Sequence, residues 1–360
     1  MERWLKAGAD GSRLAAVGHM LRMPMKRMAT VGLACCMLVS IDTPARAHHS
    51  AAAFDTQKTV TVTGSILQYS FANPHIYITL QIKKEDGASA TMEVEAGAAS
   101  VLNGLGFTKT AVAVGEVVTI IGNPARKDPD KLILGKDLYK KDGNYVPLNI
   151  ASRSIYDATN DKPATSIAGT WFSPRTEFNA FLGGTRTWSL TDKGKSASAT
   201  ADPRITTQKD CIPIGEPGLM FYPVANTIDV QRDRVVMKID WMESERVVYL
   251  DGRKHPPASQ TALHGHSIGH WEGKTLVVET TNFQEHSSGL SMTLPGSSQK
   301  RLTEKLTLGE DGKTLLYSGT MEDPVYLAKP VEWSGKWEYR PTMPHSNQKC
   351  DVEVARKYLR

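Results

Sequence analysis

The chain has 360 residues, 40% of them hydrophobic, with 43 Lys and Arg against 38 Asp and Glu and a formal net charge of +5. Seven of the basic residues (Arg3, Lys6, Arg13, Arg22, Lys26, Arg27, Arg46) and three of the acidic ones (Glu2, Asp10, Asp42) fall within the first 47 positions, which leaves 36 against 35 for the rest. A near-neutral remainder without a basic block argues against nucleic acid as a partner, and no segment after the leader is apolar for long enough to cross a bilayer.

The leader reads as an export signal. Lys26 and Arg27 precede the uncharged run "MATVGLACCMLVSI", and "DTPARA" places Ala45 and Ala47 at the small-residue positions a signal peptidase accepts. Cleavage is expected after Ala47, with His48 as the new terminus, Met25 as the start and the periplasm as the destination. Two of the four cysteines, Cys35 and Cys36, leave with the leader. Cys211 and Cys350 are then the remaining thiols, and an oxidising compartment predicts a disulfide between them.

Residues 48–150 are strand-rich. "KTVTVTGSILQYSF", "HIYITLQI", "SATMEVEA", "EVVTIIGNPA" and "KLILGKDLYK" alternate β-branched or aromatic residues with polar ones. The alanine-rich "GAASVLNGLGFT" between the third and fourth runs predicts one short helix. Five strands in that order suit an OB-like barrel, with Gly64 and Gly122 at its bends. The polar stretch 151–166 reads as a linker. Residues 167–360 carry about ten further strand patterns, among them "GTWFSP", "TRTWSLTD", "RVVMKIDWM", "HSIGHWEG" and "VEWSGKWEYRP", joined by Gly- and Asp-containing turns. The whole predicts an all-β protein: a small five-stranded barrel followed by a larger antiparallel up-and-down, lipocalin-like barrel or curved sheet.

The first half resembles an uncharacterised family of exported proteobacterial domains through "AHHSAAAFD", "FANPHIYITL", "VEAGAASVLNGLGFT" and "VGEVVTIIGNPARK". The second half resembles a companion region of unknown function through "CIPIGEP", "YLDGRKHP", "GHSIGHWEGKTLVVETTNF" and "MEDPVYLAKP". His270 stands where that region is associated with Arg. The resemblance implies an architecture and no activity.

Three clusters carry candidate chemistry. An N-terminal His48 offers its α-amine and ring nitrogen to one ion, and His75 or His49 a third nitrogen, an arrangement similar to a histidine brace that makes copper the candidate cofactor. His264, His266 and His270 are separated by two and four residues, so an unbroken strand sets all three on one face, toward the barrel interior. There they could bind a metal, or one could act as a general base oriented by Asp251 or Glu279, or all could be structural. Gly265 and Gly269 loosen that register. Arg253, His255 and Trp271 are candidate ligand contacts, with Arg253 suited to a carboxylate or paired to Asp251 or Glu272 in a turn. The tryptophans of the second half suit either a cavity lining or a core. The motifs of serine hydrolases with a Gly-x-Ser-x-Gly elbow, phosphate loops, dinucleotide folds and His-Glu-x-x-His enzymes do not occur. The expected function is periplasmic binding of a small, partly apolar molecule in the second barrel, with His and carboxylate acid–base catalysis. The alternatives are a copper protein and a non-catalytic envelope interaction module.

Overall fold

The structure, a computed structural model, describes residues 53–159, 161–202 and 206–356. The expected leader and cleavage seam, with His48 and His49, lie outside the described residues. Both barrels belong to one compact unit, Ala45–Arg360.

The first barrel is built from β1 (Val60–Ser70), β2 (Tyr77–Lys83), β3 (Ser89–Glu95), α1 (Ala99–Gly104), β4 (Val117–Pro124), β5 (Leu132–Lys140) and the short β6 (Tyr145–Pro147). β1 pairs antiparallel with β2 and β4, β2 with β3, and β4 with β5, and β5 closes onto β3 in parallel. Alternation explains the closure: Ile66, Ile78, Leu80, Met92, Val94, Ile120, Ile133 and Leu138 all point inward and are buried. The two glycines singled out in the sequence sit where strands approach most closely. A Cβ on Gly64 would lie 2.4 Å from the Gln81 carbonyl oxygen, and one on Gly122 would lie 2.4 Å from that of Leu134. At Gly122 the β4–β5 register also shifts. The helix expected between the third and fourth strands is α1.

The second barrel closes through nine strands. In chain order they are β7 (Gly169–Phe172), β8 (Ala225–Val230), β9 (Arg234–Ile239), β10 (Ser244–Tyr249), β11 (His266–Glu272), β12 (Thr275–Thr281), then, after the separate hairpin β13 (His286–Ser291) and β14 (Leu294–Gly296), β15 (Arg301–Leu308), β16 (Thr314–Glu322) and β17 (Val331–Tyr339). A ring with an odd number of strands cannot be antiparallel throughout, because each antiparallel neighbour reverses direction. The parallel seam falls between β10 and β11, which share Val248↔Ser267 and Tyr249↔Ile268. The connection 250–265 therefore runs the length of the barrel from one rim to the other. This seam departs from the antiparallel barrel expected.

The pattern "TRTWSLTD" does not form a strand. It joins α2 (Arg175–Thr185) to α3 (Asp192–Thr200), and Thr191 caps α3 by accepting from the Gly194 amide at 3.1 Å. Its apolar residues alternate because they pack, not because they pair: Trp188 meets Phe181 edge-on at 5.9 Å and Leu190 makes a single bridge to Leu327. For Trp171, Trp241 and Trp337 the alternatives resolve toward core, since all three are buried in one cluster with Phe221 and Tyr317.

A segment after β17 lies between the two barrels. Arg340 donates to the Gly104 carbonyl at 2.7 Å, and Asn103 donates to the carbonyl of Pro344 at 2.6 Å. His345 Nε2 meets the Thr227 hydroxyl at 2.6 Å, and Asp240 accepts from Ser346 through both amide and hydroxyl. Asn73 of "NPH" donates to the Gln348 carbonyl, accepts from the Ser100 amide and hydroxyl, and takes the Asp351 amide on its own carbonyl. The segment ends at the Cys211–Cys350 disulfide that the cysteine count predicted.

Candidate functional site

The connections of the second barrel divide unequally between its rims. β8–β9, β11–β12 and β15–β16 are joined by short turns at one rim. At the other gather residues 173–224, the β13–β14 hairpin with its flanks, the stretch 323–330 and the end of the 250–265 crossover. Long loops on a rigid barrel are where chemistry is built.

Into that rim the 173–224 connection inserts Glu216, fully buried, whose Oε1 lies 2.7 Å from His264 Nδ1. The His264 side chain keeps 18% of its surface exposed. Its position follows from Gly265, whose backbone adopts φ +65, a left-handed conformation costly for other residues. That turn breaks the strand alternation between His264 and β11. A carboxylate partner on Nδ1 fixes the proton there and leaves Nε2 as the basic nitrogen.

Below this pair is a layer of buried charge. Arg246 makes two hydrogen bonds to Glu304, 3.1 and 2.6 Å long, and its Nε lies 3.7 Å from Glu216. Tyr317 donates to Glu304 at 2.7 Å, and burial, aided by Glu304 itself, keeps that phenol protonated. Ser267 and Thr280 complete the layer around the Arg246 guanidinium. Lys300 donates to the carbonyls of Glu216 and Gly289, 3.0 and 2.9 Å, and lies over the Phe283 ring. Burial pulls the Lys300 ammonium down to about 8 against the opposing pull of Glu216. His286 is held below the usual imidazole range by burial and by Lys300.

Burial alone would raise the Glu216 carboxyl, but His264, Arg246 and Lys300 outweigh it and hold the group down at about 2, against 4.5 for an unperturbed Glu. Between those values the folded chain binds fewer protons than the unfolded one, so this stabilisation is complete above about pH 4.5 and is lost as the pH falls toward 2. Urea unfolding of the Glu216→Gln variant is expected to show a flatter decline over this acid range. The slopes should differ by up to about 1.4 kcal/mol per pH unit, and equal slopes would contradict the assignment.

The same rim bounds a cleft of about 790 Å³ whose wall includes His255, Asn282, Lys300, Arg301, Asp323 and Leu327. Asp323 of "MEDP" is buried and organises its turn by accepting from the Ser297 amide and hydroxyl and the Val325 amide.

The structure separates the three strand histidines that the spacing placed on one inward face. Ser267 is the inward residue, so His266 and His270 face outward, and His264 is turned to Glu216 by Gly265. His270 is exposed and 3.3 Å from Glu272, and Trp271 is 41% exposed. His266 instead meets His255, Nδ1 to Nδ1 at 3.0 Å, and stacks on Tyr249. Burial lowers both imidazoles of this pair below the usual imidazole range. Asp251 is occupied by Arg253, which also covers the Tyr249 ring. Glu279 lies on the outer face opposite Ile268. The carboxylate hydrogen-bonded to His264 is Glu216, 48 residues upstream, rather than Asp251 or Glu279. His75 Nδ1 lies 3.2 Å from the Ala96 carbonyl and 3.3 Å from Glu95. Among the described residues, no group of three or more His, Cys, Asp and Glu side chains converges in a way that would hold a metal ion.

The sequence reading missed Glu216, Arg246, Glu304 and Lys300. Two of them were signalled: Glu304 is in phase with Leu302 and Leu306, and Arg246 with Val248, so both charges stand at inward positions of strands.

Residues 35–132 are similar to a family of unknown function, DUF6152. No curated protein matches the chain.

Proposed function

We propose that this chain is an exported, periplasmic protein that binds a small, partly apolar molecule at the loop-rich rim of its second barrel and moves a proton on it through His264. The observation that carries this reading is the 2.7 Å hydrogen bond between the buried Glu216 carboxylate and the partly exposed His264. An imidazole hydrogen-bonded through Nδ1 to a buried carboxylate presents Nε2 as its basic nitrogen, which suits a general base in an isomerase, lyase or hydrolase reaction. The barrel core is filled by aromatic side chains, so the reading places the molecule at the rim, beside His264, rather than inside the barrel. Export is supported by the leader's composition and by the Cys211–Cys350 disulfide. The first barrel is read as OB-like and the second as lipocalin-like on their strand orders.

The test is equilibrium binding of anilinonaphthalene sulfonate, an anionic apolar fluorophore, to the oxidised chain. A single saturable site is expected, weakened at least fivefold by His264→Ala and unchanged by His270→Ala. In parallel, carbethoxylation of His264 by diethyl pyrocarbonate should slow in Glu216→Gln. Absence of a saturable site, or equal affinity in His264→Ala, would overturn the proposal.

A further inference from the structure

The contact between His255 and His266 belongs to neither the Glu216–His264 pair nor the charge layer. A neutral imidazole presents one N–H and one lone pair. Two Nδ1 atoms 3.0 Å apart are therefore joined by one Nδ1–H that donates to the lone pair of the other Nδ1. We propose that this pair is a two-imidazole chelate for a divalent transition-metal ion of tetragonal preference, copper(II) or nickel(II), which binds both Nδ1 lone pairs once the ring that carries the shared proton holds its proton on Nε2 instead.

Spacing sets the class of ion. Two metal–nitrogen bonds of about 2.1 Å that span 3.0 Å subtend roughly 90°, the angle between neighbouring ligands in square-planar or octahedral geometry, whereas a tetrahedral zinc site would need the nitrogens about 3.4 Å apart. Both rings are held in place. His266 opens β11 and is backed by Tyr249, with ring centroids 5.3 Å apart and planes 23° from parallel. His255 rides on the crossover, which Asn282 grips by donating to the carbonyls of Pro256, Pro257 and Gln260 at 3.3, 2.9 and 3.1 Å. A site so braced gives up little conformational entropy on binding an ion. His255 also lines the 790 Å³ cleft, which leaves the remaining coordination positions accessible to water or to a ligand's oxygen atoms. Among the nearby charges, Arg253 is neutralised by Asp251, Arg301 lies on the cleft wall, and Glu279 contributes negative charge on the same outer face.

The experiment is calorimetric titration of the oxidised, untagged chain with nickel sulfate, alongside His255→Gln and His266→Gln in the same background. Any ion held by the N-terminal histidines is then common to all three proteins. The wild type is expected to bind one equivalent more than either variant, or to bind its last equivalent at least tenfold more tightly. The copper(II) form should show paramagnetic-resonance splitting from two additional nitrogens that both variants lose. Thermal midpoints confirm folding, and His255→Gln, on a loop, serves if the strand variant fails to fold. Equal stoichiometry and affinity in wild type and folded variants would overturn the proposal, whatever the outcome at His264.

Discussion

Arg246→Met is expected to lower the free energy of unfolding by about 3 to 5 kcal/mol, measured by urea denaturation with the disulfide intact. The cost does not come from the ion pair as a source of stability. Arg246, Glu304 and Glu216 are all essentially without solvent contact, so removing the guanidinium leaves the Glu304 carboxylate buried without its paired cation. Glu304 would keep the Tyr317 hydroxyl, and Glu216 would keep His264 and the nearby Lys300. A discriminating variant is Arg246→Met combined with Glu304→Leu, which removes the charge and its partner together. It should recover at least half of the loss, because a buried ion pair replaced by apolar side chains of similar volume is often close to neutral. A double variant as unstable as the single one would show that the layer contributes stability in its own right.

Cys350→Ser is expected to destabilise the chain by about 2 to 5 kcal/mol, with the same loss on reduction of the wild type. The disulfide joins residues 139 apart, so it restricts a very large loop of the unfolded chain. It also holds down the end of the segment that bridges the barrels through Asn73, Asn103, Thr227 and Asp240. The variant should therefore show its earliest gain of amide exchange in residues 341–351 and in the neighbouring Asn73 turn. Uniform loss of protection across both barrels would mean that the bond acts on the unfolded chain alone.

The architecture was legible because both barrels obey a period of two. Ile78, Leu80, Met92 and Val94 in the first barrel, and Leu302, Leu306, Leu315 and Tyr317 in the second, can be assigned inward from alternation alone. "TRTWSLTD" shows where that rule fails, since Trp188 and Leu190 alternate yet pack around helix ends. The candidate site was less legible for two physical reasons. Parity arguments assume an unbroken strand, and one left-handed residue, Gly265, reverses the direction of His264 relative to His266. The partner of His264 is also remote: Glu216 arrives from a different connection, and no local spacing encodes that meeting. Asn73 illustrates a third case. Its motif drew attention for the histidine that follows, while the asparagine is the residue that anchors the C-terminal segment.

The second barrel closes through two short seams, the parallel β10–β11 seam and the antiparallel β17–β7 pairing, with two registered pairs each. β10 and β11 are joined by two registered pairs, whereas β9–β10, β11–β12 and β15–β16 have six, seven and eight. The barrel is in effect a rolled sheet with two short clasps. His266 sits on one lip of the parallel clasp, and His255 on the chain that crosses it. Whatever holds those two rings together also ties the crossover to β11.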